Sequence, residues 1–194
     1  MTVQTEQKRS LWKEARAYQT IRRLLRGKLA VVGLVIVLAV VFCAIFAEWI
    51  APYDPIKIDY MHFKLFGAPA PDHLMGTDQL GRDTFSRVLY GARISLSVGL
   101  IAVAIALALG TALGLVAGYK GGKTDVIIMG IMDTIWAFPT LILALAITTL
   151  LGPSLFNIML AIGIVYTPGF ARLVRSMVLT VREQEYVQSA RALG

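Results

Sequence analysis

The chain has 194 residues, of which 57% are hydrophobic and only 16% are charged, and its formal net charge is +7. Soluble domains contain about 25% charged residues, so this composition excludes an ordinary soluble protein and indicates a membrane protein. Eight Lys or Arg and two Glu give residues 1–28 a net charge of +6, which is nearly all of the excess. Because these basic residues precede an apolar segment instead of alternating with aromatic residues, they indicate membrane orientation and not nucleic-acid binding.

Residues 29–50 form the first predicted transmembrane helix. The segment contains one acidic residue, Glu48, near its end. About 20 helical residues cross the hydrocarbon core, whereas the apolar part of a signal peptide has only about 7–15 residues. We therefore predict an uncleaved anchor with Trp49 and Tyr53 at the outer interface. The single cysteine, Cys43, lies inside this segment, so the sequence offers no disulfide framework.

Three further transmembrane helices are predicted along the rest of the chain. Residues 94–118 carry no charge, and residues 134–171 are 38 consecutive uncharged positions, which is enough for two spans. A Gly-Pro turn signal within residues 151–154 divides this stretch, so we place spans at about 128–150 and 155–175. The predicted fold class is an all-α, polytopic membrane helix bundle.

The distribution of charge predicts that both termini lie in the cytoplasm. The tail, the 119–125 loop (net +1) and the segment from residue 172 onwards (net +2) are all basic, whereas residues 51–93 hold five basic and five acidic residues. Basic loops stay on the cytoplasmic side. We expect four parts: a cytoplasmic basic tail (1–28), a first transmembrane helix (29–50), an outer loop with an interfacial helix (51–93), and a membrane core that ends in a cytoplasmic helix (94–194).

The end of the outer loop has the pattern of an amphipathic helix. Apolar residues recur at helical spacing, and Arg87 and Arg93 lie off the stripe, which is typical of a helix lying in the membrane interface. Asp83 is the predicted N-cap, and Gly76 and Gly81 mark turns. The apolar stripe consists of Phe85, Val88, Leu89, Ala92 and Leu96.

Small residues spaced four apart line one face of the second span, namely Ala106, Gly110, Gly114 and Gly118. In lipid this spacing lets another helix approach closely, so we interpret the face as a packing surface. A helix that slides at an interface or along a translocation path is the alternative.

Asp133 is the one charge within an otherwise apolar stretch, and we favour a structural ion pair or cap over a proton relay. Pro139 and Pro168 are expected to kink the third and fourth spans. The segment Gly118-Tyr-Lys-Gly-Gly-Lys-Thr124 is similar to a phosphate-binding loop, but position 117 is Ala where that motif needs Gly. A membrane helix, and not a strand, precedes it. We therefore predict no ATP site and no cofactor in this chain.

Residues 73–83 read His-Leu-Met-Gly-Thr-Asp-Gln-Leu-Gly-Arg-Asp. This closely resembles the H-P-L-G-T-D-x-x-G-R-D signature of inner-membrane permeases in peptide- and nickel-type ABC importers. Further landmarks resemble the family in the same order: Gly-Ala-Arg-Ile-Ser-Leu at 91–96, Ala-Gly-Tyr at 117–119, Ala-Phe-Pro at 137–139 and Leu-Gly-Pro-Ser-Leu at 151–155. The last ten residues resemble the first half of the family's E-A-A-x-x-x-G coupling motif, although Gln188 and Ser189 replace the usual Glu-Ala.

The resemblance implies a MetI-like, type I ABC permease with about four of an expected six transmembrane helices, interrupted within its coupling motif. Residues 94–194 are then an incomplete permease core. The implied periplasmic signature loop comprises His73, Gly76, Thr77, Asp78, Gly81, Arg82 and Asp83. The implied ATPase-coupling residues are Glu185, Tyr186, Ser189, Ala190, Leu193 and Gly194.

The implied partners are ABC ATPase subunits on the cytoplasmic side, a second permease subunit, a periplasmic or lipid-anchored substrate-binding protein, and the lipid bilayer. ATP hydrolysis then belongs to the partner, and this chain is not an enzyme. The implied cargo is a di- or oligopeptide, with glutathione, nickel or another small solute as alternatives. We expect no metal site, since the two histidines, His62 and His73, both lie outside the spans.

The sequence is also compatible with three other interpretations of its function. A truncated permease without function has the same sequence pattern as a working one. A channel or secondary transporter needs intramembrane charges along a path, and Asp133 alone gives it little support. A membrane-embedded enzyme needs a nucleophile with its base, or metal ligands, within the spans, and the sequence offers neither.

Overall fold

The computed structural model describes residues 27–58 and 65–193. The tail up to residue 26, His62 and Gly194 therefore lie outside the described residues. Within the described part, regular structure consists of helices and two isolated β-bridges, and the prediction of an all-α protein is confirmed. The helices are α1 (Lys28–Ile45), α2 (Ala47–Ile50), α3 (Thr84–Lys120), α4 (Gly122–Ala137), α5 (Thr140–Leu151), α6 (Leu155–Arg182) and α7 (Glu185–Leu193).

The chain divides into two compact units, Met1–Ile94 and Ser95–Gly194. The first unit contains α1, which has the composition and length of a membrane span. Four consecutive residues of α1, which point to all sides of the helix, are each 57–59% exposed, as expected for a helix surrounded by lipid. Residues 29–50, predicted as one helix, are α1 and α2 separated at Phe46, whose ring lies between those of Phe42 and Trp49.

The third helix is longer than the sequence predicted. The amphipathic run from Phe85 and the span 94–118 form a single helix, Thr84–Lys120, instead of an interfacial helix followed by a separate span. No proline interrupts these 37 residues, and the open space around Gly91 and Gly99 shows no close backbone contact there. At 1.5 Å per residue α3 is about 55 Å long, so it exceeds the thickness of the hydrocarbon core.

The predicted third span is a broken one. Helices α4 and α5 meet at an angle of 97°, with Phe138 and Pro139 between them. Proline has no N–H to donate and disfavours helical geometry in the residue before it, and Phe138 is accordingly extended, with ψ of 141°. The expected kink at Pro139 is therefore a complete interruption, whereas α6 continues through Pro168.

Helices α3 and α6 run parallel to each other. Near its middle α3 approaches α6 at Gly110 and Phe170, and near its end it does so at Gly118 and Val178, so contacts advance in the same direction along both helices. The chain between two parallel spans must return to the side from which it started. The α4–α5 pair therefore leads from the end of α3 back to the level at which α6 begins, as a broken span does.

Candidate functional site

In the structure the signature loop extends over residues 65–83. It is joined to the start of α3 by a closed ring of contacts. The Tyr53 N–H donates to Ser86 Oγ at 3.2 Å, and the Tyr53 ring lies 5.0 Å from that of His73. His73 Nδ1 lies 3.0 Å from Asp83 Oδ1. The other Asp83 oxygen accepts the Ser86 N–H at 2.7 Å, so Asp83 is the N-cap of α3. Tyr53 thus contributes to the loop, where the sequence indicated only an interfacial position.

Asp78 is the centre of a second polar cluster in the signature loop. Its Oδ1 accepts the backbone N–H groups of Leu80 and Arg82, at 2.8 and 3.0 Å. Its Oδ2 accepts the Arg82 Nε–H at 2.9 Å and is paired with Arg87 from the first turn of α3. One carboxylate therefore holds two guanidinium groups, and the cluster has a net charge of +1.

The carboxyl groups of Asp78 and Asp83 stay ionised in this environment. Burial tends to raise the pKa of Asp78, but the hydrogen bonds from Arg82 and Leu80 outweigh it and lower the pKa from 3.8 to about 2. Burial opposes ionisation of Asp83 in the same way. The hydrogen bonds from Ser86 and the contact with His73 nevertheless hold its pKa below the usual value. Both clusters therefore depend on a negative charge.

Tight backbone contacts close the signature loop. Gly67 and Thr77 are paired through the Gly67 N–H, which donates to Thr77 Oγ1 at 2.8 Å, and the Thr77 N–H, which donates to the Gly67 carbonyl at 3.1 Å. Gly76 has a φ of +71°, and a Cβ there would overlap the Gly67 carbonyl oxygen, so only glycine fits. Beside this turn lies a cavity of about 300 Å³, whose lining includes Phe66, Asp78, Arg82 and Arg87.

The small-residue face of α3 packs directly on α6. A Cβ added to Gly110 would lie 2.5 Å from Phe170 Cβ, and one added to Gly114 would lie 2.5 Å from the Ala171 carbonyl oxygen. Ala106 is fully buried. Backbone approach of this kind is how helices associate in lipid, where apolar burial gives no advantage over the lipid tails.

Two ion pairs join α4 to α6. Arg175 donates through Nε and Nη2 to both oxygens of Asp125, in the first turn of α4. Arg172 donates to Asp133, and its guanidinium lies 3.9 Å from the centre of the Trp136 ring. The ion pair expected for Asp133 is therefore present, with Arg172 as its partner.

The last turn of α6 is attached to the end of α3. Arg182 Nη1 donates to the carbonyl oxygens of Gly118 and Tyr119, at 2.8 and 3.3 Å. These carbonyls lie in the last turn of α3, where they have no helical partner and the helix dipole is negative. A turn after Arg182 leads to α7, so the base of α7 and the end of α3 are held together.

Helix α7 presents an uncovered face. Its described side chains are exposed except for the half-buried Val187. Tyr186 and Leu193 are 67% and 90% exposed. At 100° per residue these two share one face with Ser189 and Ala190, while Glu185 begins the helix. The coupling residues named from the sequence thus share one surface, except Glu185 at its start and Gly194, which lies outside the described residues.

Two family models match the sequence. Residues 110–194 match the binding-protein-dependent transport system inner membrane component, and residues 10–69 match the N-terminal transmembrane domain of oligopeptide transport permease C. The chain belongs to the binding-protein-dependent transport permeases. As a member of this family it is a multi-pass inner-membrane protein.

This permease is similar to several named relatives. It is 45% identical to a dipeptide transport system permease protein of Alkalihalophilus pseudofirmus, over 95% of the chain and 59% of the relative. It is also 45% identical to a probable D,D-dipeptide transport system permease protein of Escherichia coli, over 88% and 57%. A glutathione transport system permease protein of E. coli is 44% identical, over 99% and 61%. The chain thus spans about three fifths of the length of these relatives.

Sequence reasoning missed the contacts that join the helices of the permease. Asp125 and Arg175 are 50 positions apart, and Arg182 binds backbone oxygens 64 and 63 positions away. No spacing along one helix reveals such pairs. The available signal was charge itself, because each of these residues is an ionisable group within or beside a predicted span, where charges require partners.

Proposed function

We propose that this permease forms the membrane path of an ATP-driven importer, with α7 as the element that contacts a cytoplasmic ATPase. The observation that carries the proposal is the geometry of α7, which presents an exposed face and begins three residues after Arg182, where the end of α6 is bonded to the end of α3. A displacement of α7 by a partner therefore reaches both packed spans directly. Family membership supports the same assignment.

The proposal includes an orientation and a set of partners. The N-terminal tail and the C-terminal segment with α7 lie in the cytoplasm, because the tail, the 119–125 loop and the segment from residue 172 onwards are all basic. The signature loop then lies outside, where a substrate-binding protein delivers cargo, and a second permease subunit completes the path. Small peptides are the proposed cargo, since the similar proteins are named for dipeptide, D,D-dipeptide and glutathione transport.

Capture of the ATPase by the permease tests the proposal. Co-expression of the chain with ABC ATPase subunits from its own genome, followed by purification in detergent, should recover the ATPase with the permease. Tyr186→Asp should abolish recovery because it places a charge on the exposed face of α7. Gln188→Ala is the matched control, since residue 188 is about 160° from Tyr186 around the helix. Failure to recover any ATPase, or equal loss with both variants, contradicts the proposal.

A further inference from the structure

We propose that Asp133, Trp136 and Arg172 form a contact site for the charged ends of the transported solute, on the wall of the translocation path. The inference rests on the proposed function and adds the ligand chemistry. The solute class is a zwitterion with an ammonium group and a carboxylate, as in a small peptide. Two independent observations on α4 point to this site.

The first observation is an exposed ion pair that includes the single charge of a long apolar segment. Asp133 follows the start of α4 at Gly122 by 11 residues, and Arg172 precedes the end of α6 at Arg182 by 10 residues. Asp133 is also the one charged residue between Asp125 and Arg172, and both helices are candidate membrane spans, or part of one, by length and composition. Asp133 is nevertheless 62% exposed and Arg172 37% exposed. Charges within a membrane span face a water-filled cavity or the interior of a bundle, and not lipid.

The second observation is the break in the broken span. The chain leaves helical geometry at Phe138 and Pro139, two residues after Trp136, and turns by 97°. Non-helical backbone at membrane depth is tolerated where protein covers it or where it lines an aqueous cavity. Transporters place solute sites beside such interruptions. Asp133 and the break thus lie on the same short stretch of α4, and Arg172 reaches Asp133 from α6.

The side chains of the site fit the two ends of a zwitterion. A carboxylate such as Asp133 pairs with an ammonium group, and a guanidinium such as Arg172 pairs with a carboxylate in a planar, two-bonded geometry. Arg172 uses one N–H on Asp133 and is oriented by the face of Trp136. When a zwitterion binds, the ion pair between Asp133 and Arg172 is replaced by one ion pair between each residue and the solute. The net charge of the site does not change. Such binding is reversible, as passage along a path requires.

The second ion pair between α4 and α6, formed by Asp125 and Arg175, has the features of a purely structural pair. Asp125 is 18% exposed, and Arg175 engages both of its oxygens. Asp133 in contrast is bonded through one oxygen and is largely uncovered. Asp125 and Arg175 are therefore the internal control for any variant of Asp133 and Arg172.

Thiol accessibility in the assembled transporter tests the position of the site. Asp133→Cys and Ile131→Cys are made separately in a Cys43→Ala background of the full-length protein with its partners. Ile131 is 54% exposed and lies about 200° around α4 from Asp133. A charged, water-soluble methanethiosulfonate should modify residue 133 at least about tenfold faster than residue 131 in one nucleotide state, because the reactive thiolate forms in water. Equal rates in every nucleotide state overturn the inference.

Peptides with blocked ends test the ligand chemistry. Uptake into proteoliposomes is compared for a dipeptide and its C-terminal amide, each at saturating loaded binding protein. The wild type should prefer the free carboxylate. Arg172→Gln should reduce that preference by about tenfold, as expected for the loss of one charge-assisted hydrogen bond, and Arg172→Lys should retain part of it. Arg175→Gln should lower uptake of both peptides equally.

The outcomes separate this inference from the proposed function. If Arg172→Gln lowers uptake of both peptides by the same factor, the Asp133 pair is structural and the inference fails, although importer activity stands. An assembled wild-type complex without ATP-dependent uptake contradicts the importer proposal itself.

Discussion

The signature loop and the α3–α6 contact hold their geometry by opposite means. In the loop, carboxylates collect many hydrogen bonds, and Asp78 alone accepts from two backbone N–H groups and two guanidinium groups. Between α3 and α6 the contact is made by the absence of side chains at Gly110, Gly114 and Gly118. The loop is therefore sensitive to charge and pH, whereas the helix contact is sensitive to volume.

Added volume in the helix contact should have the largest effect. Gly114→Leu places a side chain where even a Cβ would lie 2.5 Å from the Ala171 carbonyl oxygen. We expect a loss of about 3 kcal/mol or more in the free energy of unfolding, at or above the upper end of typical overpacking costs. Thermal denaturation in detergent measures it. Gly130→Leu is the control, because a Cβ there meets nothing within 4 Å, and comparable losses at both positions would contradict a volume-limited contact.

Removal of the Asp78 charge should have the next largest effect, and it should be confined to the signature loop. Asp78→Asn leaves Arg82 and Arg87 facing each other without the carboxylate. The expected cost is about 1–3 kcal/mol, the range for hydrogen bonds to a charged group. Hydrogen exchange of residues 65–94 should accelerate, while that of α6 stays unchanged. Asp72→Asn provides the control on an exposed carboxylate, and equal acceleration in that variant would count against the cluster.

Acid should loosen the same loop in a defined window. The pKa of Asp78 is lowered from 3.8 to about 2 on folding. Its stabilising contribution is therefore complete above about pH 4 and is lost as the pH falls towards 2. Limited proteolysis of residues 65–94 should speed up across this window in the wild type and change less in Asp78→Asn. A loop that stays resistant at pH 2 would refute the dependence on this carboxylate.

Loss of the Arg182 contact should have the smallest effect on stability. Arg182→Gln removes a cation from the negative end of α3, which is worth about 0.3–1 kcal/mol. We expect the assembled transporter to keep its basal ATP hydrolysis but to lose part of the stimulation by loaded binding protein. Arg191→Gln, which removes an exposed charge from α7, serves as the comparison. Unchanged stimulation in Arg182→Gln would show that this contact does not transmit motion.

The sequence predicted the features that depend on composition and local geometry. The lengths of the apolar segments predicted the membrane spans. Asp83 was predicted to cap a helix, and Pro139 was predicted to bend the third span. The sequence did not predict that α3 is continuous from Thr84. An amphipathic pattern is the same in an interfacial helix and in the first turns of a long transmembrane helix.

Contacts between residues distant in the sequence could not be predicted from the sequence. The pairs of Asp125 with Arg175 and of His73 with Asp83 depend on how helices and turns pack. The sequence placed Tyr53 at the membrane interface because aromatic residues are common there. It gave no sign that the His73 ring lies beside Tyr53.

The broken span also constrains how the protein enters the membrane during synthesis. Helix α5 has 12 residues and is about 18 Å long, which is too short to cross a hydrocarbon core of about 30 Å by itself. It also ends in a tight turn that leads straight into α6, its packing neighbour. Helix α5 therefore has to enter the membrane together with α4, because it cannot span the hydrocarbon core by itself.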